Sequence, residues 1–388
     1  MIIKAKPEDF KVQEIASLSL AKRGAFSVYL LEKRGWNTVD ALREISKISK
    51  VPSNSFSYGG KKDKHAATSQ FIAIEGPRIK DINSDQLALI FQGYMDRPMG
   101  PDLIEGNRFE VVVRQLTSAA AQEVLLQLKN VQAQGFPNYF DDQRFGSFDA
   151  DQGFLAEKIL LGHFNGAVKI HLTSVYSGDP KPEKERRSFF LQHWKDWKVC
   201  ASHAHTEFEK YAFEELKKGE KANLSVLNQV PKEELSMYFS AYQSFLWNEL
   251  ASKIVRQKAG EELVHVQGVT GDYIFYKNVP DNLFDYLRSL LIPTAAHNCQ
   301  MPDDGCARIY TELLESRGVR TSLFNKLKIR RAFFKATQRP LVVFPSELGA
   351  DVSEDEIYPG KMKVTLKFVL PRGSYATMLI KCLLNGSL

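Results

Sequence analysis

Strand-forming segments occupy the two ends of this chain and helix-forming segments its middle, which narrows the folds open to it. Near the start, Phe10-Lys11-Val12-Gln13-Glu14-Ile15 alternates apolar and polar residues with the period of a half-buried strand. Residues 27–31, 68–74 and 109–114 read as further strands. Asn37-Thr38 caps a helix running to about Lys50, with Ala41, Leu42, Ile45 and Ile48 on one face. A second helix spans 118 to about 134 and stops at Gly135-Phe136-Pro137-Asn138. The last fifty residues return to strands at 341–344 and 363–370, and a helix from Ser374 to about Leu384 closes the chain. The middle opens with a Pro-broken charged stretch, 179–187, that reads as solvated. Helices follow at 207–216 and 236–255, then a looser region from 257 to 302, then helices at 311–314 and 323–334, the last strongly basic. At 388 residues the chain is long enough for two domains. The pattern predicts one domain from both ends, 1–150 with 340–388, and a mainly helical domain inserted at 151–339.

Composition excludes several classes. A hydrophobic fraction of 44% with 11% aromatics is ample for a packed core. Cys200, Cys299, Cys306 and Cys382 form no CxxC pair, which argues against a zinc or dithiol site. No stretch approaches the ~20 apolar residues of a membrane span, and no apolar leader is evident, so a soluble cytoplasmic protein is expected. No Walker loop or GxGxxG follows a strand, and there is no GxSxG elbow. The net charge of +6 is compatible with a polyanionic partner without requiring one.

Four runs carry residues suited to chemistry. Gly60-Lys61-Lys62-Asp63-Lys64-His65-Ala66-Ala67-Thr68-Ser69-Gln70 sets one carboxylate among cations. Such a carboxylate stays ionised, as a nucleophile must, although the same composition suits a solvated turn. Asn138-Tyr139-Phe140-Asp141-Asp142-Gln143-Arg144-Phe145-Gly146-Ser147 interleaves aromatics with amides and an arginine, a mixture for stacking on a base or for plugging a core. Ser240-Ala241-Tyr242-Gln243-Ser244-Phe245-Leu246-Trp247-Asn248 reads first as helix core. Leu370-Pro371-Arg372-Gly373-Ser374-Tyr375-Ala376-Thr377 reads as a strand ending at a helix capped by Ser374.

In this order, together with Lys4-Ala5-Lys6-Pro7-Glu8-Asp9-Phe10-Lys11-Val12-Gln13-Glu14, Asn37-Thr38 and Gly106-Asn107-Arg108-Phe109, these runs resemble the TruD family of tRNA pseudouridine synthases from end to end. The resemblance implies an α+β fold. It pairs a pseudouridine-synthase catalytic domain, a mixed or antiparallel sheet with flanking helices and permuted motifs, with an inserted, mainly helical α/β domain. It also implies isomerisation of uridine, at position 13 of tRNA, with no metal and no cofactor. The C1′–N1 bond breaks, the base turns, and a C1′–C5 bond forms. By this likeness Asp63 is the catalytic aspartate, as nucleophile or as base toward the ribose, and Lys4 keeps it ionised. Phe140 would stack on the flipped base, and Asn138 would hold the catalytic loop or the aspartate. Lys61, Lys62, Lys64, His65, Gln70, Gln143, Arg144, Arg330 and Arg331 would meet RNA. The partner is tRNA, with no membrane and no nucleotide cofactor, and a monomer is favoured. The alternatives are the same chemistry on other RNA, or an inactive RNA-binding or chaperone protein on this fold. Asp141 stands where the family usually has Gly; if that position requires φ > 0, Asp tolerates it better than most residues.

Overall fold

The computed structural model describes residues 1–176, 178–260 and 262–384. They divide into two compact units, one of Met1–Phe136 with the stretch from Val343 onward, the other Pro137–Val342. The chain thus crosses at 136/137, earlier than the expected 150. Residues 137–150 pack within the second unit.

The first unit is built on a ten-stranded sheet. In chain order its first strands are β1 (Ile2–Ile3), β2 (Phe10–Ala16), β3 (Phe26–Arg34), β4 (Phe56–Tyr58), β5 (Ala67–Glu75), β6 (Ile82–Asn83), β7 (Leu87–Met95) and β8 (Ile104–Leu116). Strands Ser346–Glu354 and Met362–Pro371 complete it. The spatial order is Ser346–Glu354, Met362–Pro371, β8, β2, β5, β3, β7, β6. β2 and β5 pair in parallel, with Val12 beside Thr68. β4 pairs antiparallel with the other half of β5, with Tyr58 beside Ile72. The partner of β5 therefore changes along its length, and residues 59–66 form the hairpin loop at the changeover. The Asp63 run is that loop.

Both faces of the sheet carry core: Val28, Ala73, Met95, Met99 and Ile104 form a buried cluster on one, and the other packs as follows. Along β2 the buried positions are Phe10, Val12 and Glu14, the alternation legible in the sequence. Phe109 stacks on Phe368 at 5.2 Å and meets Phe10 edge-on at 6.2 Å. Helix α1 (Thr38–Ser49) lays Ala41, Leu42 and Ile45 onto Tyr29, Leu31, Ile72 and Leu89. The expected stripe stops there, because Ile48 is 54% exposed. Helix α2 (Ser118–Gln134) and the terminal helix Ala376–Leu383 pack together at the Met362–Pro371 side. Tyr375, not Ser374, is the N-cap of the terminal helix and makes no side-chain cap.

In the second unit the 27-residue helix Lys232–Lys258 is the axis. Its Tyr238, Phe239, Tyr242, Phe245 and Trp247 are all buried. The charged 179–187 stretch is helical after all, within Lys181–Gln192: Pro180 precedes the helix and Pro182 falls in its first turn, where no backbone N–H is needed. The looser region holds a hairpin, Leu263–Gln267 with Asp272–Tyr276, and the helix Asp281–Ser289. The basic helix expected at 323–334 is absent: a 3-10 turn, Thr321–Asn325, gives way to irregular backbone. Among the described residues no helix is long and apolar enough to cross a membrane.

One buried ion cluster ties the ends of the first unit together. The Arg114 guanidinium donates to Asp9 at 2.8 and 2.9 Å and to Asp355 at 2.9 Å, all three residues buried. Arg114→Met would leave two buried carboxylates uncompensated, at a cost of about 3–5 kcal/mol. The expected outcome is a urea unfolding transition moved to clearly lower denaturant; an unchanged transition would contradict this account.

Candidate active site

Loop 59–66 is held from within the first unit. Gly59 approaches Ile104 so closely that a Cβ would run into it. The Gly60 carbonyl accepts from Gln70 Nε2 at 3.1 Å. Thr38, at the start of α1, donates through Oγ1 to Gln70 Oε1 at 2.8 Å and accepts from the Lys62 N–H at 2.9 Å. That hydroxyl is in place because the Asn37 side chain caps the helix, accepting from the Asp40 N–H at 2.8 Å. The Lys62 ammonium lies 2.9 Å from Glu14 Oε2 and donates to Asn107 Oδ1 at 2.6 Å. Beneath the loop, the buried Lys33 ammonium donates to the carbonyls of Trp36 (2.6 Å), Asp63 (3.0 Å) and Lys62 (3.3 Å).

With the backbone fixed, the Asp63 side chain faces outward. Its Oδ2 accepts from the Lys4 ammonium and its Oδ1 from the His65 N–H at 2.9 Å. About a third of the side chain remains exposed (35%). Lys4 adopts a left-handed backbone, φ 62°, uncommon for a non-glycine residue and usually paid for by a local requirement. Its ammonium also lies 4.4 Å from the Phe10 ring centroid. Partial burial pushes the Asp63 carboxyl up, but the Lys4 and His65 hydrogen bonds and charges outweigh it and hold the group below its ordinary value. Lys33 moves the other way. Burial brings its ammonium down to about 8, while the Asp63 charge resists.

The second cluster lies in the second unit. The buried Arg339 donates to Asn138 O (2.7 Å), Asn138 Oδ1 (2.8 Å) and Tyr139 O (3.3 Å). Its guanidinium carbon sits 4.0 Å from the Phe140 ring centroid, and Trp247 meets that ring edge-on at 5.7 Å. The Phe140 backbone exchanges two hydrogen bonds with Asn248, at 2.9 and 2.8 Å. Phe140 is half-buried in this setting.

The family model described as tRNA pseudouridine synthase D (TruD) matches residues 1–383. The chain belongs to the TruD family. A probable tRNA pseudouridine synthase D 1 of Methanococcus maripaludis is 31% identical, over 99% of this chain and 100% of its own length. A tRNA pseudouridine synthase D of Leptospira interrogans is also 31% identical, over 99% and 96%. The crystal structure of a putative TruD from Methanosarcina mazei superposes with a TM-score of 0.75 at 24% identity, over 98% of this chain and 93% of that one, a likeness that shows the fold.

Within this TruD chain the residues singled out from sequence separate into exposed and committed sets. Lys61, Lys64, His65, Gln143, Arg144, Arg330 and Arg331 are exposed. Lys62 and Gln70, expected to face RNA, support the loop instead: Gln70 is fully buried, and the Lys62 ammonium is held by Glu14 and Asn107. Asn138 is buried, its oxygens on Arg339 and its amide on the Pro340 carbonyl at 3.3 Å. Asp141 is extended (φ −78°, ψ 162°), so this position does not require φ > 0 here. Asp142 accepts from the Val269 N–H and the Tyr273 hydroxyl. Sequence reasoning missed Lys33, Glu14 and Arg339. Lys33 and Glu14 carried one cue: each is a charge at an inward position of an alternating strand. Among the described residues no cluster of His, Cys, Asp or Glu is arranged to hold a metal ion.

Lys33→Met would remove the donor shared by the Lys62 and Asp63 carbonyls. Limited trypsin digestion is expected to cut after Lys61 or Lys64 several-fold faster than in the parent chain, and equal rates would contradict the assignment. The ammonium of Lys33 is lost as pH rises through about 8, whereas in the unfolded chain it persists toward its ordinary 10.5. Between those values the unfolded chain binds more protons, so this group makes global stability rise with pH. Loosening of the loop at high pH would therefore be local.

Proposed function

We propose that this chain is a tRNA pseudouridine synthase that isomerises uridine, at position 13 of tRNA, with Asp63 as its catalytic carboxylate. The activity is carried over from the family and from what its relatives are described as. The observation that carries the assignment to Asp63 is a solvent-facing carboxylate, ion-paired to Lys4, on a loop whose carbonyls are pinned from below by Lys33.

The isomerisation needs an ionised oxygen at the ribose. As a nucleophile, Asp63 would bond to C1′ while the C1′–N1 pair leaves on the uracil. After the base turns, C5 would bond to C1′, the carboxylate would depart, the C5 proton would go to solvent, and N1 would take a proton from solvent. As a base, Asp63 would instead take the ribose proton beside C1′ as the C1′–N1 pair leaves on the uracil, and return it once C5 bonds to C1′, with the C5 proton again exchanged for one at N1. Both routes require the deprotonated form that Lys4 and the His65 N–H favour. The target uridine must leave its stack, at a cost of a few kcal/mol. Phe140, fixed by Arg339, Trp247 and Asn248, would receive the flipped base. Lys61, Lys64, His65, Gln143 and Arg144 would contact the RNA, with phosphate contacts offsetting the cost of flipping.

The test is tritium release from tRNA carrying uridine labelled at C5. The parent chain is expected to release tritium and Asp63→Asn to release none, while binding tRNA about as well. Substantial turnover by Asp63→Asn would remove Asp63 from the role, and no release by the parent chain would sink the activity itself. Phe140→Ala is expected to slow the reaction by the equivalent of ~1–3 kcal/mol, the value of one base–aromatic stack. Parent-like kinetics would take Phe140 out of the site. Pseudouridine mapping in tRNA from a strain lacking the gene checks the position: loss at a site other than uridine 13 would reassign the target.

A further inference from the structure

Eight of the 52 lysines and arginines, and none of the 46 aspartates and glutamates, lie between residues 316 and 346. The whole chain's net charge is only +6, so this stretch exceeds it alone. Its central part, 326–337, is neither helix nor strand, yet it is pinned at several points. Ile329, Ala332 and Phe334 are buried. The Phe334 ring stacks on Phe239 at 4.6 Å and meets Phe324 edge-on at 4.9 Å. The Arg330 N–H donates to Asn228 Oδ1 at 3.1 Å, and the Lys335 carbonyl accepts from Gln243 Nε2 at 3.1 Å.

These anchors leave Arg330, Arg331, Phe333 and Lys335 outward. Phe333 is 70% exposed although Phe334 beside it is buried. Among the described residues Arg330, Arg331 and Lys335 form no ion pair, unlike the lysines and arginines that pair with nearby carboxylates elsewhere. A lone exposed aromatic is ordinary on a protein surface. An exposed aromatic on an anchored ribbon of unpaired cations, with no carboxylate in the segment, suits a polyanion whose bases have π-faces. An apolar protein partner would meet cations on both sides of the ring and desolvate them without compensation.

We infer that segment 328–335 is a further RNA-contact site, in which Phe333 stacks on an unpaired base while Arg330, Arg331 and Lys335 hold the neighbouring phosphates. The inference rests on the proposed action on tRNA and extends it. The contact is sequence-tolerant, since any base offers a stacking face.

The test measures binding of a tRNA transcript and of a fully paired RNA duplex by the full chain. Phe333→Leu keeps the side chain apolar and removes the ring. It is expected to weaken tRNA binding by about 5- to 150-fold, the span for loss of one base–aromatic stack, and to leave duplex binding unchanged. Phe333→Trp is expected to retain tRNA binding. The R330Q/R331Q double variant is expected to weaken both RNAs and to make the salt dependence of log Kd shallower by about 2. The side chains are exposed, so the thermal transition should not move. Parent-like tRNA binding by Phe333→Leu, or equal loss on the duplex, would overturn the inference. The tritium assay on the same transcript separates the two readings. Release by the parent chain with no effect of Phe333→Leu sinks this site alone. No release with weakened binding by Phe333→Leu sinks the activity and leaves the site standing. No tRNA binding by the parent chain sinks both.

Discussion

The Lys33 ammonium is the fixed point of the Asp63 loop. It rises from β3, almost wholly buried, and three backbone carbonyls converge on it, one of them belonging to Asp63. A hairpin loop of eight residues has too few contacts of its own to hold one conformation against solvent. A buried cation changes that, because leaving an ammonium unsatisfied in the interior costs far more than ordering the carbonyls around it. The lowered pKa of Lys33 registers that burial.

Three lysines near Asp63 therefore do three different things. Lys33 holds the backbone from below, Lys62 is held by Glu14 and Asn107, and only Lys4 reaches the carboxylate. The Thr38 hydroxyl and the Gln70 amide bracket the loop from α1 and β5. The polar residues around Asp63 serve mainly to let one charged oxygen face outward in a defined position. That is the requirement of chemistry in which a small displacement of the reacting atom is costly.

Arginines in the second unit divide the same way. Arg339 is buried against carbonyls and rings, where its planar fork satisfies several acceptors at once and stiffens the segment bearing Phe140. Arg330 and Arg331, nine and eight residues earlier, face outward from a ribbon held by its apolar side chains. Position along the chain does not distinguish these roles; the partners each guanidinium meets do.

Much of the first unit was legible because its cues are local. The alternation at 10–15 set β2, the Asn37 cap set the start of α1, and the Gly135-Phe136-Pro137 stop closed α2. Asp63 stood out as a carboxylate among cations, and the family likeness linked it to Lys4. Sequence misled where one pattern allows two conformations. The basic 323–334 stretch has helical composition, but beyond Asn325 its backbone is irregular, pinned by the buried Ile329, Ala332 and Phe334. The charged 179–187 stretch looked broken by proline, but proline in a first turn breaks nothing. The amino-acid sequence by itself determined which segments became strands and helices and which carboxylate stood apart, since periodicity, caps and charge runs act between near neighbours. Only the tertiary structure decided that Lys33, Lys62 and Gln70 are scaffold and that Arg339 supports Phe140. Those roles depend on burial and on partners as far as 201 residues away, which no local pattern encodes.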